Sequence, residues 1–474
     1  QGSQLPMNNQ SMSDPDLDLL IRGGTVVTTE GQGVVDVGIR GGQIAQLGGT
    51  MRGHRELDAG GALVLPGGVD PHVHLHIEDV EPNEPVWVDD YTTGSQAALA
   101  GGITTLGNMA FVLPWESLAD RVVAENAAIS REAICDVFIH MAVTCPSPAI
   151  AAEVPAIVAA GHSSVKFFMS LPSFDAFARD FTQLMKAAGD ARGIALIHCE
   201  DLPTIECCTS MLSRQAKTSL HHYAESRPTS SEVIAIQRAI EMCRATGTPT
   251  YIVHLSSARA LELCLAARAE GLPISIETRP LYLYLTAERY RDPDGAIYVA
   301  QPPLRDGSDV EAIWRGLIDG SIDTLASDHA PWTHKLKTDP KLTVDVARPG
   351  VAELDTMLPL LFTEGVAKNR ISLQRFVALT ATNAARLFGL YPRKGTIAVG
   401  SDADIAIWET RGGRVIRNSE LFSRAGHSVY EGRELAGWPR TTIRRGEIVF
   451  DDGRALGQAG SGQLIRRGPS GAAR

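Results

Sequence analysis

Ile194-Ala195-Leu196-Ile197-His198 is apolar up to its last residue and ends in an imidazole. The pattern recurs outward in both directions. Upstream, Ser163-Ser164-Val165-Lys166-Phe167-Phe168-Met169 carries one lysine among apolar neighbours; downstream, Tyr251-Ile252-Val253-His254 and Thr324-Leu325-Ala326-Ser327-Asp328 again close on a single ionisable residue. Short apolar runs between helical stretches read as strands buried on both faces, the mark of a parallel sheet. Candidates lie at 63–75, 103–109, 134–143, 163–169, 194–199, 250–255, 273–278 and 322–328, with helical patterns such as 232–246 and 258–270 between most of them. These βα units predict a closed α/β barrel of the (β/α)8, TIM-like type. A polar residue ending a barrel strand sits where such folds build their active sites.

The first candidate strand runs through the turn sequence Leu65-Pro66-Gly67-Gly68 into His72-Val73-His74. Alternation in an extended strand projects both imidazoles to one face and Val73 to the other. Two converging neutral imidazoles are half of a metal site, and His198, His254 and Asp328 offer further donors on strands 5, 6 and 8. Lys166 on strand 4 fits this company only as a neutral amine, which burial favours. A neutral amine can add carbon dioxide, and the resulting carbamate has two oxygens able to bridge two divalent cations. The plainer reading of Lys166 is a lysine snorkelling from a strand end, but Val165, Phe167 and Phe168 favour burial, where an unmodified ammonium is costly.

Pro66-Gly67-Gly68-Val69-Asp70-Pro71-His72-Val73-His74, Val165-Lys166, His198, His254-Leu255-Ser256, Pro302-Pro303-Leu304-Arg305 and Ser327-Asp328-His329-Ala330-Pro331, with the later Arg393-Lys394-Gly395-Thr396-Ile397-Ala398-Val399-Gly400-Ser401-Asp402-Ala403-Asp404, together resemble the cyclic amidohydrolases of the amidohydrolase superfamily. That group contains dihydropyrimidinases and hydantoinases, dihydroorotases and allantoinases; the resemblance spans roughly residues 18–465 and is closest to the first pair. It implies two divalent metal ions, the more buried held by His72, His74 and Asp328 and the other by His198 and His254, with carbamylated Lys166 and a hydroxide bridging them. It also implies that Asp328 takes the proton of the attacking hydroxide and passes it to the departing nitrogen. Zinc suits these donors, and manganese, cobalt or iron would bind the same set. The implied reaction is hydrolytic opening of a cyclic amide or imide.

With 474 residues, 44% hydrophobic and 21% charged, the chain can bury a large core and a small accessory domain. A net charge of −11 argues against nucleic acid and anionic membranes as partners. No apolar stretch is long enough to span a membrane, the N-terminus has no signal-peptide core, and the cysteines show no CxxC spacing, which reads as a cytoplasmic protein with reduced thiols. Residues 1–16 read as a disordered segment, 17–64 plus 390–456 as a β-sandwich built from both chain ends, 65–389 as the barrel and 457–474 as an extended tail. In related enzymes the tail often reaches a neighbouring subunit, so a homo-oligomer, dimer or tetramer, is expected.

The pocket departs from each relative. Dihydroorotases carry an arginine just after the His-x-His-Leu segment and an asparagine after strand 2, both gripping the substrate carboxylate; the corresponding residues here are His76 and Phe111. Hydantoinases usually place an oxyanion-stabilising tyrosine a few residues after the carbamylated lysine, where Leu171 stands, and a serine before Pro-Pro-Leu-Arg, where Gln301 stands. The Pro349-Gly350 segment is closer to the dihydroorotase and allantoinase loop. Neutral cyclic amides of dihydropyrimidinase or hydantoinase type are the expected substrates, with an allantoinase-like or otherwise unusual ring or lactam as the alternative. A non-catalytic dihydropyrimidinase-related scaffold would have lost the histidines, and a mononuclear deaminase would not need Lys166. Of the remaining histidines, His329 should leave the ligand face for a supporting role, and His54, His140, His162, His221, His222, His334 and His427 lack ligand spacing. Gly101-Gly102 reads as a helix end.

Overall fold

The computed structural model describes residues 17–75 and 86–471. The expectations for 1–16, His76 and 472–474 lie outside the described residues.

Eight parallel strands, Gly68–Val73, Ile103–Val112, Asp136–Val143, Ser164–Phe168, Ile194–His198, Thr250–Ile252, Ile274–Thr278 and Thr324–Leu325, neighbour one another in chain order. The sheet closes from last to first through a Val73–His329 bridge, with the His74 N–H donating to the His329 carbonyl at 2.8 Å. Side-chain alternation then sorts the strands into two cores. Val165, Phe167, Met169, Ala195, Ile197 and Cys199 pack outward against the helices, whereas Phe138, Ala142, Ile194, Leu196, Tyr251 and Phe388 fill the barrel. By this parity Lys166 and His198 belong to the interior set and Cys199 to the outer one.

Helices follow the strands on short turns. Asp201, three residues past His198, caps Leu202–Arg214, and Ser257, three past His254, caps Ala258–Ala269. Each cap accepts from an N–H of the first turn, which fixes where the helix starts and leaves the preceding histidine little slack. Gly102, at φ +83°, turns the chain from helix Tyr91–Ala100 into strand Ile103–Val112.

A β-sandwich flanks the barrel. One sheet is N-terminal (Leu17–Arg22, Val37–Arg40, Gln43–Leu47, Gly53–Asp58); the other joins Thr25–Val27, Gln32–Val34 and Leu63–Pro66 to Ile405–Glu409, Trp438–Arg444, Glu447–Asp451 and Arg454–Ala455. Leu19, Ile21, Val26, Ile39, Val64, Ile405, Ile407 and Ile443 fill the space between them. Two expectations are corrected here. The run 63–75 is two strands: Leu63–Pro66 pairs antiparallel with 405–408 in the sandwich, and the barrel strand starts only at Gly68. The segment around Arg414–Val415 and Glu434–Leu435 forms its own two-stranded sheet and leaves the sandwich, so that Tyr430 and Ser423 reach residues at the barrel mouth. The tail runs along its own barrel, with Val137 bridged to Leu464 and Arg467 donating to the Ile139 carbonyl and to Ser164 Oγ. All seven cysteines are unpaired, and among the described residues no helix is long and apolar enough to cross a membrane.

Candidate active site

At the C-terminal mouth of the barrel His72, His74, Lys166, His198, His254 and Asp328 converge, all buried. Asp328 Oδ1 lies 3.0 Å from His74 Nε2 and 3.1 Å from His72 Nε2, and these three residues could hold a metal ion. His198 Nδ1 lies 2.9 Å from His254 Nε2. Among the described residues, Lys166 Nζ, His74 Nδ1 and His254 Nδ1 have no hydrogen-bond partner. Burying this many polar atoms unsatisfied is costly, so the donor set fits a group that binds it, and nitrogen and carboxylate donors at this spacing suit divalent cations.

Carboxylates behind the imidazoles aim them. His72 Nδ1 meets Glu277 Oε1 at 2.8 Å, and His198 Nε2 meets Glu200 Oε2 at 2.8 Å. An ionised carboxylate can only accept, so each ring presents its other nitrogen's lone pair to the cavity. Glu277 Oε1 also accepts the His254 backbone N–H at 2.9 Å, and Glu200 is bonded by Arg227 at 2.6 Å. Burial opposes ionisation of Glu200, but the Arg227 guanidinium and His198 hold its carboxyl below the usual range.

Burial brings His74 down to about 4 and holds His198 and His254 below the ordinary histidine range, leaving all three neutral at pH 7. It also pushes Lys166 down to about 8, so a neutral amine is within easy reach. Burial alone would raise Asp328, yet the Arg279 guanidinium and the neighbouring imidazoles keep its carboxyl well below the usual carboxylate range.

Simple alternation does not bring all these groups together. The pairing of the first strand with the second shifts register between Asp70 and Val73, which turns His72 and His74 to the mouth while Val69 stays in the barrel and Val73 faces the helices. His254 would point outward with Ile252 by strand parity; its left-handed backbone, φ +38°, turns it inward. Asp328 sits at φ +47°. Non-glycine residues in this region are strained, and both are in the site.

A cavity of about 210 Å³ opens over the cluster. Phe111, Leu171, Gln301, Pro349 and Gly350 line it together with His72, His74, His198, His254 and Asp328. Sequence reasoning missed Trp87 and Phe168 in its wall: Phe111 stacks on Phe168 at 5.8 Å between ring centres, and Trp87 lies 4.7 Å from His74. It also missed Glu277, Arg279, Glu200 and Glu353. Glu277 ends the apolar run Ile274-Ser275-Ile276, so the rule that singled out His198 could have found it; Glu200 lies one alternation beyond His198. His329 turns away from the cavity group to Asp89 Oδ2, at 2.9 Å, and accepts the Glu353 backbone N–H.

A (β/α)8 barrel with buried histidines, a lysine and an aspartate gathered at its strand ends, beside a sandwich of both termini, is the architecture of an amidohydrolase. The amidohydrolase family profile matches residues 63–449, and the chain belongs to that family. It is 33% identical over 458 residues to a D-hydantoinase of Ralstonia pickettii, covering 95% of this chain and 99% of that protein. To a D-phenylhydantoinase of Escherichia coli (strain K12) it is 34% identical, covering 95% and 98%. The crystal structure of dihydropyrimidinase from Brevibacillus agri NCHU1002 superposes with a TM-score of 0.90 at 30% identity, covering 96% of this chain and 99% of the other.

Proposed function

We propose that this enzyme opens the ring of neutral cyclic amides and imides of hydantoin and dihydropyrimidine type, using His72, His74 and Asp328 for one divalent cation and His198 and His254 for a second, with Lys166 between them as a carbamate. The single observation that carries the reading is the gathering of these six residues at one barrel mouth, with Lys166 buried and without a hydrogen-bond partner among the described residues. Two cations held there would acidify a water towards neutral pH and polarise the scissile carbonyl. The chain's own part is positioning and proton transfer. Water's oxygen bonds to the ring carbonyl carbon, the carbon–nitrogen bond breaks, and Asp328 carries the proton from that water to the leaving nitrogen. Trp87, Phe111, Phe168 and Leu171 supply apolar lining for a ring substituent, and Gln301, Pro349 and Gly350 line the same cavity.

Zinc as the ion, a homo-oligomer (dimer or tetramer) and a cytoplasmic location belong to the same reading; unpaired cysteines favour a reducing compartment. We assign catalysis to the barrel, 68–389, and read 17–66 with 405–409 and 438–455 as the sandwich unit and 457–471 as the tail.

The test is elemental analysis combined with steady-state turnover of 5-substituted hydantoins, dihydrouracil, allantoin and dihydroorotate. Two metal equivalents are expected. An anionic ring would set an unpaired charge against aromatic walls, so neutral rings should exceed dihydroorotate by about a hundredfold in kcat/KM, equivalent to about 3 kcal/mol. Faster turnover of dihydroorotate than of every neutral ring would overturn the assignment; a clear preference for allantoin would move it to the allantoinase branch.

A further inference from the structure

Arg279 directly follows the seventh barrel strand, is completely buried, and lies between two carboxylates. Its Nη1 donates to Asp328 Oδ2 at 2.5 Å, while Nε and Nη2 donate to Glu353 Oε2 at 3.1 and 2.8 Å. Glu353 is held from behind by the Tyr430 hydroxyl, which donates to its Oε1 at 2.5 Å. The eighth strand is only two residues long, and Asp328 lies beyond it on a left-handed backbone. The main chain therefore constrains the direction of this carboxylate weakly, and side-chain contacts must do it.

Resting on the role given above to Asp328, we propose that Arg279 is a positioning residue that divides the labour of that carboxylate. Oδ2 is clamped by the guanidinium, and Oδ1 alone faces His72 and His74, free for the proton transfer. A planar guanidinium can satisfy two carboxylates from different edges, which the point charge of a lysine cannot reproduce. Glu353 follows Pro349 and Gly350, two residues of the cavity wall, so the clamp also ties the proton carrier to the segment that meets substrate.

The deciding variants are the charge-balanced Arg279→Met/Glu353→Gln, Arg279→Lys and Tyr430→Phe, each prepared as zinc-loaded enzyme. Small misplacements of a reacting group are costly, so the double variant should lose about a hundredfold in kcat with KM within about threefold of the parent, and Arg279→Lys should recover only about a tenth of the parent kcat. Zinc release to a chromogenic chelator should quicken about tenfold, because a freed carboxylate can rotate off the ion. Tyr430→Phe, which changes no charge, should lower kcat about threefold at unchanged KM. A folded double variant with parental kcat and zinc release would make the clamp merely structural; if it fails to fold, unchanged kcat in Tyr430→Phe overturns the proposal. Asp328→Asn, run in parallel, separates the two claims. If it retains turnover, the proton-carrier assignment falls; if it is inactive while the Arg279 variants are normal, only the clamp does.

Discussion

Two buried lysines at opposite ends of the barrel carry opposite chemistry. Lys166, at the C-terminal mouth, has no hydrogen-bond partner among the described residues, and burial lowers its proton affinity to about 8. Lys394 packs against the other end, where Nζ donates to Asp136 Oδ2 and Asp404 Oδ2 at 2.6 Å and lies 3.0 Å from Asp402 Oδ2. Burial would lower it too, but these carboxylates outweigh burial and raise it above an ordinary lysine. One amine is kept ready to lose its proton; the other is a permanent cation bolting the third barrel strand, through Asp136, to the segment that enters the sandwich. The same residue type becomes a readily deprotonated amine or a fixed cation according to the carboxylates within reach. The contrast follows the polarity of the fold, with chemistry at the mouth and stability at the floor.

The comparison breaks most readily at Lys166. Lys166→Ala should empty at least one metal position and lower turnover by about four orders of magnitude or more, with partial return on adding short carboxylic acids. Elemental analysis that found both metals and normal turnover in this variant would end the carbamate reading. At the same mouth, Asp328→Asn should keep the fold and lose about a thousandfold in kcat, since an amide is no general base at neutral pH. Lys394→Met should do the reverse: strand three carboxylates around one apolar side chain and cost about 3–5 kcal/mol in denaturant unfolding, with kcat/KM per folded, metal-loaded site within about twofold of the parent. A large kinetic defect there would erase the division between mouth and floor.

A smaller effect concerns His162, beside the floor just before strand Ser164–Phe168, where burial and the nearby Arg467 and Arg466 lower its proton affinity to about 4. Its folded value lies below the unfolded value of about 6.5, so the unfolded chain binds more protons between the two. Stability should therefore fall as pH drops from about 6.5 towards 4. His162→Gln should remove about one proton from that dependence, at most about 1.4 kcal/mol per pH unit, as read from unfolding midpoints across this range.

Much of the barrel was legible in the chain because a strand covered on both faces has to be apolar, and a polar residue ending it has only the mouth to enter. That logic reached Lys166, His198, His254 and Asp328 from local pattern alone, and His72 and His74 from their spacing. It stopped where the decision was not local. Leu63–Pro66 is as apolar as a barrel strand, yet it pairs with Ile405–Trp408, more than three hundred residues away in sequence, and nothing in its own residues names that partner. Arg279 and Glu353 are each unremarkable in the chain; only their meeting beside Asp328 makes them a clamp.

The sequence by itself determined the order of the barrel strands, the residue types gathered at their ends and the chemistry those types permit, because periodicity and donor chemistry are properties of neighbours along the chain. Tertiary structure alone decided which ring nitrogen faces the cavity, which oxygen of Asp328 is free and which of two buried lysines can lose its proton. Each of these depends on carboxylates and a guanidinium contributed by distant segments, and at distances of 2.5–3.1 Å those contacts outweigh any preference the residue carries by itself.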